Sequence, residues 1–344
     1  MHATILAALG GRPATGELWH YAGMTHADLV RDAFGWREVV VPPGPRGALG
    51  QIWRVDADGG RYALKELFFE EPTEAAMAAE LLLVGRAVAA GVRAPQSRPD
   101  RTGRYLLPGP SGCLRLYDWV ETQPLDLTAV RTPVELGELL AALHRCAPVV
   151  GTEPGGEPPS RWYDRAPERS AFTTALASGA PWVPRLADRL AELPRLTGIV
   201  APVDGSRLRL CHRDLHPGNV RSDGAGALVV LDWDDLGPAD PARELARLLF
   251  DWWCDSTLDQ AAMRATYGAY LRAGGPARIT ELADFTMLVA SRLNFLKIQL
   301  DLALDGDAAA EHRAWAEAEI DEALRILPMP RQLAEVLDLV LTLS

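Results

Sequence analysis

The sequence predicts an α+β protein, with an antiparallel sheet in the first third of the chain and helices in the rest. Five short runs of β-prone residues lie between positions 37 and 117 and are separated by glycine- and proline-rich turns. After position 132, apolar residues recur at the three- and four-residue spacing of amphipathic helices. With 344 residues, the chain is long enough to bury a large core and to form two domains.

The predicted sheet follows a first helix over residues 25–34. A proline- and glycine-rich loop over residues 42–50 separates the first two strands, and the turn at 56–60 (DADGG) predicts a hairpin between the second and third. Residues 108–112 form the turn between the last two strands. The five predicted strands cover residues 37–41, 51–55, 61–67, 105–107 and 113–117.

Two charged residues of this region are singled out by their surroundings. Of the 35 basic residues only Lys65 and Lys297 are lysine, so a lysine in a predicted strand is notable. Glu80 lies in a helix predicted from an N-cap at Thr73 to about Ala90, and its neighbours three and four positions away are apolar. A carboxylate there needs a buried cation. We expect Glu80 to pair with Lys65; a Glu80 that reaches solvent is the alternative.

The remainder of the chain is predicted to be mostly helical. Asp240 is expected to cap a helix that begins at Pro241, because Asp favours the N-cap and Pro the first helical position. Residues 148–202 are rich in Pro, Gly, Arg and Ala, with one short helix expected over 184–193. The other predicted helices cover residues 132–146, 258–273, 277–304, 308–326 and 330–341.

Composition excludes several classes of protein. An apolar content of 48% and a charged content of 24% are typical of a globular chain. No apolar run reaches the ~18–20 residues of a membrane helix, and the N-terminus lacks a basic region before its apolar residues. A formal net charge of −11 makes nucleic acid an improbable partner. The four cysteines have no metal-ligand spacing, which favours free thiols in the cytoplasm.

The most informative segment has the pattern H-x-D-x-x-x-x-N, formed by His212, Asp214 and Asn219. An apolar strand follows and ends at Asp232. Phosphoryl transfer needs a carboxylate that faces the attacking hydroxyl, and an amide and a second carboxylate that hold a metal on the nucleotide phosphates. The spacing of these residues fits that requirement. No zinc pattern, nucleophile elbow or dinucleotide-binding motif competes with it.

Residues 212–219 resemble the catalytic loop of the aminoglycoside phosphotransferase and choline kinase family, and Leu231-Asp232-Trp233-Asp234 resembles its second motif. The resemblance implies a bilobal, protein-kinase-like fold: an N-lobe over residues 1–118 and a C-lobe over 119–344. It also implies a nucleotide-binding hinge at about 118–121 and places an insertion at 148–202.

The resemblance and the chemistry of phosphoryl transfer together assign roles at the reacting centre. Asp214 is expected to orient the acceptor hydroxyl and to take its proton. Asn219 and Asp232 offer hard oxygen ligands suited to Mg²⁺ or Mn²⁺. We expect His212 to hold the loop through its ring, although a part in the chemistry is open. His216 either approaches the transferred phosphate or packs within the loop.

The nucleotide is expected to be ATP, with GTP not excluded. Lys65, held by Glu80, would bind its phosphates. Gly47 and Gly50 belong to the loop that would cover the phosphates, although such loops are often simple turns. In the hinge, backbone groups of Asp118 and Val120 are expected to bind the adenine.

The expected function is an ATP-dependent kinase that phosphorylates a hydroxyl of a small amino-bearing molecule, an aminoglycoside-type antibiotic being favoured. A metabolic kinase for choline, homoserine or an amino sugar is the alternative, and a nucleotide-binding pseudokinase is a third possibility. Protein kinase activity is disfavoured, because only residues 233–240 separate Asp232 from the next helix, too few for a peptide-docking segment. Antibiotic resistance, a metabolic role and the oligomeric state stay open.

The acceptor is expected to be cationic, because acidic residues outnumber basic ones after position 251. Solvated helix faces explain the same charge equally simply. Candidate acceptor contacts are Asp234, Asp251, Trp252 and Asp255, each of which is also compatible with an ordinary position on a helix or loop.

Overall fold

The computed structural model describes residues 24–46, 50–110 apart from 68–71, 112–150 and 160–343. It has a sheet-containing N-lobe and a helical C-lobe, as predicted. Among the described residues, none of the helices combines the length and the apolar character that crossing a bilayer requires. All four cysteines are free thiols.

Within the described residues, the N-lobe sheet has seven strands, not the five predicted. The strands are β1 (Val39–Val40), β2 (Pro43–Arg46), β3 (Gly50–Ala57), β4 (Gly60–Leu67), β5 (Ser97–Arg98), β6 (Leu107–Gly109) and β7 (Gly112–Asp118). Every pairing among them is antiparallel, in the order β1-β3-β4-β7-β5, with β2 on β3 and β6 on β7. The two additional strands are β2, whose sequence PGPR has almost no β propensity, and the two-residue β5.

Two helices accompany the sheet. Helix α1 (His26–Phe34) begins at the N-cap Thr25 and buries Leu29 and Val30 against the sheet. Helix α2 (Glu74–Ala89) begins at its predicted N-cap, Thr73. Its buried apolar side chains, including Ala79 and Leu83, belong to the large core of the C-lobe, so α2 joins the two lobes.

The C-lobe begins where the chain leaves β7. Strand β8 (Thr122–Gln123) already pairs with a C-lobe strand, β10 (Val220–Asp223). The helices that follow are α3 (Arg131–Cys146), α4 (Arg161–Asp164), α5 (Thr173–Ala177), α6 (Val183–Leu190), α7 (Leu193–Thr197), α8 (Pro241–Trp253), α9 (Gln260–Arg272), α10 (Thr286–Leu304), α11 (Ala310–Ile326) and α12 (Pro330–Leu341). Helices α3 and α9 pack closely, and Gly137 of α3 lies where a Cβ would meet the backbone of α9.

Two helix predictions were wrong in their bounds. The helix expected over 184–193 is two helices, because Pro184 and Pro194 each lie in a first turn and start a new helix. The helix expected over 277–304 begins at Thr286, after a 3₁₀ turn at Leu282–Phe285. A capping box between Glu281 and Asp284 fixes that later start.

Four short strands hold the functional segment. Strand β9 (Arg209–Cys211) pairs with β12 (Gly237–Ala239), and β10 (Val220–Asp223) pairs with β11 (Leu228–Val230). The loop between β9 and β10 contains the H-x-D-x-x-x-x-N pattern, and the segment after β11 contains Asp232. Because Val220 is paired with Val230, Asn219 and Asp232 emerge at the same end of the β10–β11 hairpin.

Candidate active site

The loop between β9 and β10 is anchored by His212. Its Nε2 lies 3.0 Å from the carbonyl oxygen of Leu231, and its ring packs against Trp233. Burial lowers the pKa of His212 below its usual value. The imidazole therefore ties the loop to the segment that contains Asp232.

The next residue, Arg213, adopts a left-handed backbone conformation with φ of 66°. Such a conformation in a residue other than glycine costs on the order of 1 kcal/mol and persists only where its surroundings impose it. Here the Glu244 carboxylate accepts the Arg213 N–H, and the guanidinium lies 4.6 Å from the centre of the Tyr163 ring. The strained backbone lies immediately before Asp214 and fixes where that side chain emerges.

Glu244 belongs to a buried trio with His144 and Cys211 that the sequence analysis missed. Its Oε2 lies 2.7 Å from His144 Nε2, and His144 Nδ1 lies 2.9 Å from the Tyr270 hydroxyl. The three ligand atoms fall within 4.8 Å of one another, close enough to hold a cation. Because Glu244 and His144 already bond to each other and to Arg213 and Tyr270, we interpret the trio as a support for the loop.

Asp214 is buried and both of its carboxylate oxygens are engaged. Oδ1 accepts from Arg247 at 2.6 Å, and Oδ2 accepts from Asn219 Nδ2 at 3.0 Å. His216 Nε2 lies 3.6 Å from the same Oδ2. Burial raises the pKa of Asp214, but His216 and Arg247 outweigh it and hold the pKa well below the usual range. The carboxylate is therefore fixed in place and ionised.

Asn219 and Asp232 present the oxygens that a divalent cation would need. The Asn219 amide nitrogen is used by Asp214, so its amide oxygen is the atom left for a cation. Asp232 has φ of 56°, a second left-handed residue, and its side chain is partly exposed. An amide oxygen and a carboxylate are hard ligands that suit Mg²⁺, so the residues fit such an ion.

Lys65 does not form the predicted pair with Glu80. Its ammonium instead lies 2.7 Å from Asp232 Oδ1 and 2.7 Å from Asp234 Oδ2. Burial opposes its charge, but the two carboxylates prevail and raise its pKa. The lysine thus lies beside the predicted metal ligand Asp232, and both of these partners come from the C-lobe.

Glu80 pairs with Arg115, a residue that the sequence analysis did not select. Arg115 is fully buried, and its two terminal nitrogens lie 2.6 and 2.9 Å from the two Glu80 oxygens. One of them also lies 3.0 Å from Asp234 Oδ1. The signal was present in the sequence, because Arg115 interrupts the apolar strand Cys113–Leu116 and lies opposite Lys65 in the β4–β7 register.

A cavity of about 960 Å³ opens at Asp214 and extends between α8, α10 and α11. We call it the Asp214 cavity. Its apolar wall contains Trp252, Trp253 and Phe295, with Leu127 and Leu258. Six carboxylates face three guanidinium groups in its lining: Asp214, Asp251, Asp255, Asp259, Glu319 and Glu322 against Arg247, Arg292 and Arg325. The excess of negative charge favours a cationic occupant.

Three of the four predicted acceptor contacts line this cavity. Asp251 is held between Arg247 and Arg292, at 3.1 and 2.6 Å, and Asp255 is paired with Arg325 at the rim. The Trp252 indole donates to the Leu215 carbonyl oxygen at 2.7 Å, so this residue also fixes the loop. The fourth, Asp234, does not line the cavity and lies between Lys65 and Arg115.

Of the other residues predicted to contact the nucleotide, Gly47 lies outside the described residues and Gly50 begins β3. The Asp118 N–H donates to the Gln96 carbonyl oxygen at 2.9 Å, and its carboxylate pairs with Arg98. That backbone donor is therefore already used within the N-lobe. Val120 lies in the connection between β7 and β8.

The sequence matches the model of the phosphotransferase enzyme family over residues 40–282, more than half of the chain. A comparison with curated proteins finds no match.

Among solved structures, a microcompartment-associated aminopropanol kinase is similar with a TM-score of 0.56 and 16% identity, over 90% of this chain and 97% of that chain. An amicoumacin kinase in complex with AMP-PNP and Ca²⁺ has a TM-score of 0.54 and 15% identity, over 92% and 100%. An aminoglycoside phosphotransferase from Alicyclobacillus acidocaldarius has a TM-score of 0.52 and 16% identity, over 96% and 99%. These likenesses concern the fold. The family match over residues 40–282 shows that the chain belongs to the phosphotransferase enzyme family.

Proposed function

We propose that the enzyme transfers the γ-phosphoryl group of ATP to a hydroxyl of a small, cationic, amino-bearing molecule, most plausibly an aminoglycoside-type antibiotic. The observation that supports this most strongly is the position of Asp214. Its Oδ2 is 3.0 Å from the amide nitrogen of Asn219, whose backbone carbonyl oxygen accepts from the N–H of Leu231 next to Asp232, and Asp214 also lines the Asp214 cavity. One carboxylate thus lies between a phosphate-binding cluster and an acceptor-sized cavity.

On the nucleotide side, Lys65 would bind the phosphates and the 118–121 connection would serve as the hinge between the lobes, with Val120 meeting the adenine. Asn219 and Asp232 would hold Mg²⁺, which when bound neutralises charge on the phosphates. The group formed by Lys65, Arg115, Glu80, Asp232 and Asp234 has three carboxylates and two cations. Its net negative charge favours the binding of a divalent cation.

On the acceptor side, Asp214 would accept a hydrogen bond from the attacking hydroxyl. As the hydroxyl oxygen bonds to the γ-phosphorus, the bond from that phosphorus to the bridging oxygen breaks, ADP leaves, and the hydroxyl proton passes to Asp214. The low pKa of Asp214 keeps it ionised for this role. His216, 3.6 Å from Asp214, would meet the transferred group.

The cavity favours a ring-containing acceptor over a simple amino alcohol. A volume of about 960 Å³ is at the upper end of what drug-sized ligands fill. Indole and phenyl faces such as Trp253 and Phe295 suit the apolar faces of rings, and the acidic rim suits amino groups. Because ATP is the proposed phosphoryl donor, we propose a cytoplasmic location for the activity.

The test is a thermal-shift screen of aminoglycosides, amino sugars and amino alcohols in the presence of Mg²⁺ and a non-hydrolysable ATP analogue. Stabilising compounds are then incubated with Mg–ATP and either the wild type or Asp214→Ala, and the products are weighed by mass spectrometry. We expect a multi-ring amine that gains one phosphoryl group with the wild type alone. Phosphorylation of choline or another amino alcohol would support the metabolic alternative, and nucleotide binding with no turnover of ATP would support a pseudokinase.

A further inference from the structure

We propose that Arg115 is a positioning residue for nucleotide binding. It is held by Glu80 and orients Asp234, and Asp234 in turn orients Lys65. This inference rests on the proposed use of ATP, because it concerns the lysine assigned to the phosphates. The predicted direct pair between Lys65 and Glu80 is replaced by a chain of four side chains, which we call the relay: Glu80, Arg115, Asp234 and Lys65.

Each contact of the relay is short, and Nη1 of Arg115 takes part in two of them, with Glu80 Oε2 and with Asp234 Oδ1. Arg115 binds both oxygens of Glu80, at 2.6 and 2.9 Å, in the two-pronged geometry that only a guanidinium provides. Asp234 divides its oxygens, Oδ1 to Arg115 at 3.0 Å and Oδ2 to Lys65 at 2.7 Å. The carboxylate of Asp234 is therefore oriented from one side and orients the ammonium on the other.

The relay also joins elements from both lobes. Glu80 is on α2, Lys65 and Arg115 are cross-strand partners on β4 and β7, and Asp234 follows β11 of the C-lobe. A change in the position of α2 or of the Asp232–Asp234 segment would therefore change the position of the Lys65 ammonium. Arg115 has no exposed surface, so its contacts are not weakened by solvent.

An alternative is that the Glu80–Arg115 pair only holds α2 against the sheet. The two accounts differ in what the double substitution Glu80→Met/Arg115→Met does, because replacing both members of a buried ion pair by apolar side chains often leaves stability unchanged or higher. If the pair is purely structural, a double variant of normal stability should also bind nucleotide normally. The relay predicts that the stable double variant binds nucleotide more weakly than the wild type, because Asp234 has lost the cation that orients it.

The experiment measures thermal stability and, by calorimetry, the affinity for Mg²⁺ with AMP-PNP. In the double variant we expect near-normal thermal stability and roughly tenfold weaker nucleotide binding. The control double variant Arg185→Met/Asp321→Met removes an exposed ion pair between α6 and α11, and it should bind nucleotide as the wild type does. A stable Glu80→Met/Arg115→Met protein with wild-type affinity overturns the relay.

If the double variant does not fold, Asp234→Asn and Arg115→Lys decide the question, alone and combined. The relay predicts that each weakens nucleotide binding and that the combination weakens it little further, because both act through one chain of contacts. Fully additive losses, or none, overturn it. If the wild type itself binds no Mg–nucleotide, the proposed function fails, and that result is distinct from failure of the relay.

Discussion

The charged groups around Lys65, on the proposed nucleotide side of the site, differ in burial and pairing from those of the Asp214 cavity, on the proposed acceptor side. Around Lys65 every charged group is buried or half-buried and paired with a named partner: Lys65 with Asp232 and Asp234, and Arg115 with Glu80. The Asp214 cavity is fixed in the same way only at its base, where Arg247 holds Asp214 and Asp251. At its rim, Asp255, Glu322 and Arg325 are about half exposed or more.

The difference matches what each side is proposed to bind. A nucleoside triphosphate presents the same phosphates in every turnover, and a rigid cluster of paired charges can be complementary to them. A rim of solvent-exposed carboxylates acts through longer-range attraction and tolerates different amines. The nucleotide side is therefore expected to respond sharply to single conservative substitutions, whereas the acceptor rim is expected to respond gradually.

The largest expected effect is that of Asp214→Ala, which removes the proposed proton acceptor. Loss of the proton acceptor should lower kcat by roughly 10²–10⁴ while leaving the affinity for Mg–nucleotide nearly unchanged. Asp188→Ala, which removes an exposed carboxylate from α6, is the control. A kcat within a few-fold of the wild type would show that Asp214 is not the base.

Next in size are substitutions of the metal ligands proposed for the nucleotide side. Asp232→Asn removes a negative charge and a partner of Lys65, so nucleotide affinity and turnover should fall together, by roughly 10² or more. Asn219→Asp keeps an oxygen ligand, and we expect it to retain some activity with a changed preference between Mg²⁺ and Mn²⁺. Titration of both metals against phosphoryl transfer checks this. An unchanged metal dependence in Asp232→Asn would make that residue structural.

Lys65→Arg tests whether the proposed phosphate site requires the compact shape of the lysine ammonium. The compact ammonium lies 2.7 Å from both Asp232 and Asp234, and a planar guanidinium cannot reproduce that geometry. We expect ATP affinity to fall by about 10-fold or more. Lys297→Arg, in which the other lysine of the chain pairs with Asp301, is the matched control. Normal kinetics of the Lys65 variant would contradict the assignment to the phosphates.

The acceptor rim should show smaller effects. Asp255→Asn/Glu322→Gln removes two negative charges from the Asp214 cavity, so KM for a cationic acceptor should rise by roughly 3- to 10-fold, with KM for ATP unchanged. The effect should shrink at high salt, because these side chains are exposed. Asp188→Asn/Glu168→Gln removes equal charge elsewhere. A change in KM for ATP would show that the two sides are not separate.

The smallest expected effect concerns pH. Burial lowers the pKa of His216, but its contact with Asp214 outweighs burial and raises the pKa above its usual value of 6.5. While protonated, His216 holds a positive charge 3.6 Å from Asp214 Oδ2 and weakens Asp214 as a proton acceptor, so kcat/KM should rise as the pH increases through the pKa of His216. His216→Gln should flatten that rise. Asp214 is ionised well below its usual pKa of 3.8 and contributes no change in this range.

How far the sequence predicts the site depends on how the residues are connected. His212, Asp214, Asn219 and Asp232 lie on one loop and one hairpin, so their spacing along the chain determines their proximity, and the structure brings them together. The caps Thr73 and Asp240 were predictable for the same reason, because an N-cap is a local contact.

The contacts that the sequence did not predict are those between distant segments. Glu80 needed a buried cation, which its apolar neighbours indicated, but two cations lie opposite each other on β4 and β7. Only the register of these strands and the position of α2 decide that Arg115 pairs with Glu80. Arg247 was missed likewise, because its contact with Asp214 depends on the packing of α8 against the loop.

The central claim is that one site has a nucleotide side and an acceptor side that meet at Asp214. Calorimetric titration of AMP-PNP with and without Mg²⁺ into the wild type, Asp214→Ala and Asp232→Asn tests it most directly. We predict Mg²⁺-dependent binding that is retained in Asp214→Ala and lost in Asp232→Asn. Equal binding by all three proteins, with or without Mg²⁺, would contradict the account.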